Sequence, residues 1–249
     1  MKKIAVLALS LVSVSAVKAQ DTGGFRIGVK AGATYSNISG KNVSQITGPN
    51  YDTSLDSYKL GYNAGVGLSI PLSADGVFAF APELLYNRKG YQIESKQTSG
   101  LASGVESVKS KQTRVLHYLD VPLLAKMNVG GLFFELGPQV SYLFGSKTKR
   151  ETTTKYLNGD KTEVKDDDGF LDYSGIKRGP ADKSDLAQFD IAGVAGVGYM
   201  TDGGLSVNLR YARGFNSLLD TKGVPNDKEP KAFNNAFTLQ VGYLLPLGK

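Results

Sequence analysis

The chain contains no cysteine and no tryptophan, and only one histidine, His117. Without cysteine there is no disulfide framework, no thiolate metal site and no cysteine nucleophile. A single histidine leaves His-based metal centres short of ligands and weakens any Ser-His-acid arrangement. Beyond the first twenty residues there is no apolar run of 18 residues, so no later segment can cross a bilayer as a helix. What is abundant is glycine, 30 of 249 residues, about 12% against a usual ~7%. Tyrosine and phenylalanine, 13 and 11, make up the whole aromatic content. An apolar fraction of 41% is too high for a disordered chain and too low for a helical membrane protein.

The formal charge of +6 is concentrated at the start. Met1-Lys2-Lys3 is a basic n-region, Ile4 to Val17 an apolar stretch of 14 residues, and Val17-Lys18-Ala19 places small residues where a signal peptidase cuts. This predicts an export signal over 1–19 and a single domain over 20–249. With no cysteine after it, the segment does not read as a lipoprotein anchor. Three basic residues lie in it, leaving 26 against 23 acidic residues in the remainder. That balance gives no reason to expect nucleic acid.

The remainder alternates with a period of two, the signature of strands with unlike faces. Phe25, Ile27, Val29, Ala31, Ala33 and Tyr35 share one face, with Arg26, Lys30, Thr34 and Ser36 on the other. Tyr58 to Ile70 sets Leu60, Tyr62, Val66 and Leu68 against Lys59 and a run of glycines. The same pattern puts Glu83 and Lys89 on the polar face of 78–89, Asp120 and Lys126 on that of 115–128, and Glu135 on that of 134–144. Asp190 falls on the polar face of 189–199, Arg210 on that of 205–211, and Thr238 and Gln240 on that of 237–245. Eight such segments, each long enough to cross a bilayer as a tilted strand of about 9–11 residues, predict an all-β, eight-stranded antiparallel up-and-down transmembrane barrel.

The connections alternate. Ser73-Ala74-Asp75-Gly76, Asn128-Val129-Gly130-Gly131 and Thr201-Asp202-Gly203-Gly204 are tight turns, in which glycine supplies the positive φ. The other four, near 39–57, 90–113, 146–187 and 215–234, read as long loops. Three tight periplasmic turns and four long extracellular loops are the layout of outer-membrane barrels. Alternation alone does not say which face is inside. Aromatic residues at both ends of the apolar face match interfacial girdles, and small residues on the polar face suit a narrow lumen. Both turn the apolar face to lipid.

Short motifs also occur in a family order. Tyr118-Leu119-Asp120-Val121-Pro122-Leu123-Leu124, Ala81-Pro82-Glu83-Leu84-Leu85-Tyr86 with Lys89-Gly90, and Leu209-Arg210-Tyr211 with Gly214 resemble strands of the small porin-like, PorT-like outer-membrane β-barrels of Bacteroidota. The resemblance covers about residues 23–249. Most members have no defined activity, and this chain ends in Leu247-Gly248-Lys249 rather than in the aromatic residue common in such barrels.

On the lumen face the candidate functional residues are Arg26, Lys30, Lys59, Lys89, Lys126 and Arg210 with Glu83, Asp120, Glu135 and Asp190. In a barrel this narrow, side chains fill the space and buried charges must pair. They are expected to cross-link the interior as a structural network, with glycines leaving local space for water. His117 falls on the lipid face near the loop end with no serine beside it, which disfavours an enzyme acting on lipid. Asp166-Asp167-Asp168-Gly169 lacks the first aspartate of a calcium loop, since Val164 stands there, and reads as a solvated acidic stretch. Leu157-Asn158-Gly159-Asp160 between Thr-rich segments predicts a hairpin standing above the membrane.

No catalytic residue, metal site or cofactor is expected. The expected partners are outer-membrane lipid, the barrel-assembly machinery during insertion and proteins reached through the long loops, and the expected state is a monomer. The role is expected to be porin-like, structural or surface interaction. The alternative is an outer-membrane component of a secretion or assembly machine; an outer-membrane enzyme is the remote alternative.

Overall fold

The computed structural model describes residues 24–41, 50–172, 186–219 and 231–246. The expected export signal and the ends at Gln20 and Lys249 lie outside them. Nine strands form: β1 (Arg26–Lys41), β2 (Tyr51–Pro71), β3 (Phe78–Gln97), β4 (Val105–Val129), β5 (Leu132–Tyr156), β6 (Lys161–Asp172), β7 (Phe189–Met200), β8 (Leu205–Gly214) and β9 (Lys231–Pro246). Eight of them make a ring. The order β4-β3-β2-β1-β9-β8-β7-β5 is closed by the pairing of β4 with β5, and every pair is antiparallel. Closure leaves no unpaired strand edge within the ring, a condition for backbone placed in lipid. Strand β6 stands outside the ring and pairs with the far half of β5.

The glycine turns close the ring at one end. β4 and β5 are joined by Gly130 and Gly131, both with positive φ (56° and 86°), the two-residue hairpin whose twist matches its strands. In the turn after β2, Asp75 accepts hydrogen bonds from Ser73 Oγ (2.5 Å) and Val77 N (3.1 Å). At the other end Gly159 (φ 91°) turns β5 into β6 over Asn158, the expected hairpin.

The strands exceed their expected ends, by one or two residues on the turn side and by far more on the loop side of β2 to β5. The segment expected as a loop over 90–113 is strand on both sides of a short connection, because β3 runs to Gln97 and β4 begins at Val105. The segment 146–187 likewise begins as strand, with β5 reaching Tyr156 and β6 following. Ser, Thr, Lys and Gln occupy both faces there, so alternation vanishes although the backbone ladder continues. The walls are therefore unequal. β4 and β5 have 25 residues each, while β7 and β8 have 12 and 10.

The face assignment holds throughout the ring. Val29, Leu60, Val66, Leu136, Ile191, Leu209 and Leu239 lie exposed on the outer wall, whereas Lys30, Glu83, Asp120, Glu135, Asp190 and Arg210 are buried inside.

Candidate functional site

The lumen is built in tiers. Nearest the turns is an ion cluster. Arg210 of β8 grips Glu83 of β3 with two parallel bonds, Nη1 to Oε2 at 2.6 Å and Nη2 to Oε1 at 2.7 Å. The same guanidinium donates to Glu135 of β5 through Nε and through Nη2 (3.0 Å). Lys30 of β1 pairs with Glu83, and Asn208 donates to Glu135 (2.7 Å). A planar fork between two carboxylates is the geometry in which arginine bonds most strongly. It ties four staves of the ring across its axis.

Above this lies a polar relay. Gln240 Nε2 donates to Asn63 Oδ1 (2.6 Å), Asn63 Nδ2 to Thr34 Oγ1 (3.0 Å), Thr34 Oγ1 to Asn87 Oδ1 (3.0 Å) and Asn87 Nδ2 to Asp120 Oδ2 (2.8 Å). Lys89 closes the relay on Asp120 at 3.0 Å. Asp190 accepts from Asn234 (2.8 Å), whose amide also reaches Tyr118 Oη at 3.3 Å.

The uppermost tier was not foreseen. Ile38, Tyr91, Ile93, Leu116, Tyr118 and Leu143 point inward from the ring, and Leu186, Leu218 and Leu219 join them from the connections. Leu116 and Leu143 are completely buried, and a bridge between Leu186 and Leu219 holds the two connections together. The lumen is thus ionic at one end and apolar at the other.

Four of the ten predicted lumen charges lie outside the ion cluster and the relay: Asp190, held by Asn234, and Arg26, Lys59 and Lys126. Arg26 sits at the turn-end rim, where it lines an open vestibule of about 500 Å³. Lys59 is half-buried beside Gly90 and makes no ion pair among the described residues. Lys126 is buried opposite Glu135 in the register, yet its Nζ lies over the Phe133 ring (3.7 Å) and 4.0 Å from Met200 Sδ. Arg210 has already taken both Glu135 oxygens, which leaves Lys126 an aromatic face.

The expected water-filled space beside the glycines is corrected by the packing. The Phe133 ring lies 2.4 Å from where a Cβ on Gly198 would stand, and Glu135 and Arg210 crowd Gly196 in the same way. The cavity that remains mid-lumen, bordered by Asn63, Lys89, Asp120 and Arg210, holds about 20 Å³, room for one water.

His117 faces outward as expected and meets aromatic groups. Its Nδ1 is 2.7 Å from Tyr86 Oη, and its ring lies 6.1 Å from that of Phe144. The acidic run belongs to strand β6, not a loop. Asp167 pairs there with Lys147 (3.0 Å) and Lys149 (3.9 Å) of β5. Around the outer wall at the loop end, Tyr35 stacks on Tyr58 (4.7 Å), Tyr142 packs with Phe189 (5.3 Å) and Tyr211 with Phe237 (4.9 Å). Phe25, Phe78, Phe134 and Tyr199 form the matching exposed ring at the turn end. Two aromatic girdles bracketing an aliphatic belt are what a lipid bilayer selects.

The family model for the outer membrane protein beta-barrel domain matches residues 18–220. The chain belongs to this outer-membrane barrel family. Among curated proteins no match was found. Among solved structures the barrel is similar to Ail, the attachment invasion locus protein of Yersinia pestis, in complex with the heparin analogue sucrose octasulfate, at 11% identity and a TM-score of 0.39 over 89% of this chain and 99% of that one. It is similar to OprG from Pseudomonas aeruginosa at 11% identity and a TM-score of 0.33, over 90% and 97%. It is also similar to the outer membrane protease OmpT from Escherichia coli, at 9% identity and a TM-score of 0.36 over 93% and 100%. None of these similarities carries a functional residue over to this barrel. In outer-membrane barrels the short turns are periplasmic, so the ion cluster of this barrel lies toward the periplasm and the apolar tier toward the outside.

Proposed function

We propose that this barrel is a closed anchor that holds a rigid sheet at the cell surface for interaction with other macromolecules. One observation carries the reading: the lumen is sealed twice while the wall β3–β4–β5–β6 continues, fully paired, far beyond the outer girdle. A pore needs a continuous aqueous path, and side chains from all eight staves occupy this one. Interaction at a distance needs a surface held clear of the membrane. From Gly145 to Tyr156 β5 has 12 residues paired on both sides. These rise on the order of 40 Å along the strand. Nothing in this role calls for a reacting group.

The test has two parts. Purified protein in a planar bilayer should give no steady conductance; large single-size steps would overturn the sealed reading. Affinity isolation from native membranes should then be compared between the full chain and a variant in which residues 150–168 are replaced by a short Gly-Ser turn. A stoichiometric partner lost with the hairpin supports the surface role. A stoichiometric partner retained without it, and cross-linked at Asp75 or Asp202, supports instead a docking role in a secretion or assembly machine, the role the PorT-like motifs of β3, β4 and β8 favour.

A further inference from the structure

The outer wall carries one group that the sealed lumen does not explain. Arg88 of β3 lies on the outward parity, two residues above Tyr86, and is half-buried. Among the described residues no carboxylate pairs with it; its nearest described partner is the face of Tyr62, 5.9 Å from the guanidinium carbon. A cation at the margin of an apolar belt is costly unless an anion or water meets it.

Its neighbours are hydrogen-bonding groups on three adjacent strands. Tyr62 of β2 and His117 of β4 stand directly across from Arg88 in the two flanking registers. Tyr86 bridges them, with its ring 5.8 Å from that of Tyr62 and its hydroxyl 2.7 Å from His117 Nδ1. The cluster lies in the outer aromatic girdle, which is the depth of lipid headgroups. Directly below it Leu84, Leu119 and Leu123 are exposed, an aliphatic wall against which acyl chains lie.

The sign of the surrounding charge is one-sided. On the outer faces of β3, β5 and β8, the first charged residues met beyond the girdle are Arg88, Lys147 and Arg213, all basic. Of these Lys147 is matched by Asp167 and Arg213 leans on Asn235, which leaves Arg88 as the cation lacking an acceptor. At the periplasmic end the charged turn residues are instead acidic, Asp75 and Asp202.

We propose that Arg88, with Tyr62, Tyr86 and His117, forms a binding site on the outer wall for the phosphate of a phosphorylated lipid in the outer leaflet. The guanidinium meets two phosphate oxygens as a fork, the tyrosine and histidine groups complete the ring of donors, and the acyl chains lie on the leucines below. A lipid is specified over free phosphate because the cluster opens sideways into the belt and not upward into water. The proposal rests on the membrane depth of the barrel and not on its surface partner, so it stands or falls separately from the proposed function.

The experiment uses the full chain in nanodiscs of phosphate-free digalactosyldiacylglycerol containing either bis-phosphorylated lipid A or the same lipid after phosphatase treatment. Lipid retained by the extracted protein is counted by native mass spectrometry. The wild type should retain the phosphorylated form about fivefold more than the dephosphorylated form. Arg88→Gln should abolish the difference and Arg88→Lys should keep part of it. Heat-dependent gel mobility reports that each barrel is folded. If Arg88→Gln does not fold, His117→Ala and Tyr62→Phe should each reduce the preference. Excess inorganic phosphate should leave the bound lipid in place. Equal retention of the two lipids by the wild type, an unchanged preference in Arg88→Gln, or displacement by inorganic phosphate alone would overturn the proposal.

Discussion

The two ends of the lumen solve the same problem with opposite chemistry. Toward the periplasm the interior is stitched by Arg210, Glu83, Glu135 and Lys30. Toward the outside it is filled by Leu116, Leu143, Tyr118 and Ile38, with leucines supplied by two connections. The ionic end is held by directional bonds between staves that are far apart in the chain. The apolar end is held by contact, and part of it comes from segments that are not in the ring at all. An ion cluster therefore fixes which staves face each other, whereas the apolar tier only requires that the space be filled. Loss of one member should be abrupt in the first case and graded in the second.

The largest effect is expected from Arg210→Ala, which leaves Glu83 and Glu135 buried against each other. Removing one partner of a buried ion network costs about 3–5 kcal/mol. Urea unfolding in lipid vesicles, followed by gel mobility, should show it. A loss below that of an ordinary surface change would mean that water enters this end and the tier is open.

Leu116→Ala in the apolar tier should cost about 2–5 kcal/mol, depending on how far the neighbours close in. The same unfolding assay measures it, and Leu143→Ala should behave alike. Neither should open a conducting path alone, because the ion cluster still blocks the lumen; conductance in a planar bilayer from Leu116→Ala alone would show that the apolar tier is the only seal. In Glu83→Ala the contrast runs the other way: the apolar tier remains, so conductance should appear only when Leu116 is also truncated.

Outside the lumen, Val66→Arg should cost about 2–4 kcal/mol, since it puts a charge in the middle of the lipid belt. Gly65→Arg, one residue away but facing in, should fail to assemble for want of room: even a Cβ there would stand 2.0 Å from the Leu84 carbonyl oxygen. If Val66→Arg were neutral, the outer wall would not be facing lipid.

The smallest effect is expected at the turn. The Ser73 hydroxyl and the Val77 amide hold the Asp75 carboxyl below its ordinary value. A carboxylate with a lowered folded pKa adds stability above the unfolded pKa, and that contribution is lost as pH falls through the folded value. Asp75→Asn should therefore narrow the difference in unfolding between neutral pH and pH below the usual aspartate range, while leaving both lumen tiers intact. The group is fully exposed, so the loss at neutral pH should be small, and the acid end of the profile, where the carboxyl is protonated in both states, should stay where it is.

The ring, its inside and outside, and the identity of the ionic tier were legible in the sequence because in mid-strand one face is apolar and the other is not. Six of the ten predicted lumen charges join the ion cluster or the relay above it. The misassigned ends share a physical cause. The parity of Asp120 and Lys126 places Tyr118 inward, but in Leu116-His117-Tyr118-Leu119 both faces are largely apolar, so no contrast marks Leu116 as part of an inward apolar tier. In Gln92 to Gln97 and Lys109 to Thr113 polar residues dominate both faces, and the ladder that orders them is made of backbone groups, which composition does not report. Leu186, Leu218 and Leu219 reach the tier through tertiary contact alone. Arg88 was overlooked because Asn87 and Lys89 on either side carry the lumen pattern, and its own parity places it in lipid.

The free side of β6 has a consequence for crowding. Among the described residues this strand is paired only through β5, so above the membrane it offers a row of open backbone groups that the closed ring below does not. Copies diffusing in a dense bilayer meet in only two dimensions, and an open edge carried by each is an invitation to zip into ribbons. Along this one the exposed charged side chains are Lys161, Glu163, Lys165, Asp166, Asp167 and Asp168, with Thr162 and Val164 among them. Two such edges brought together antiparallel or parallel must strip water from charges at nearly every step, with the aspartate run set against its own copy or against lysines already engaged with Glu163 and Asp167. The acidic stretch thus opposes edge-to-edge pairing of neighbouring barrels while leaving the strand in place.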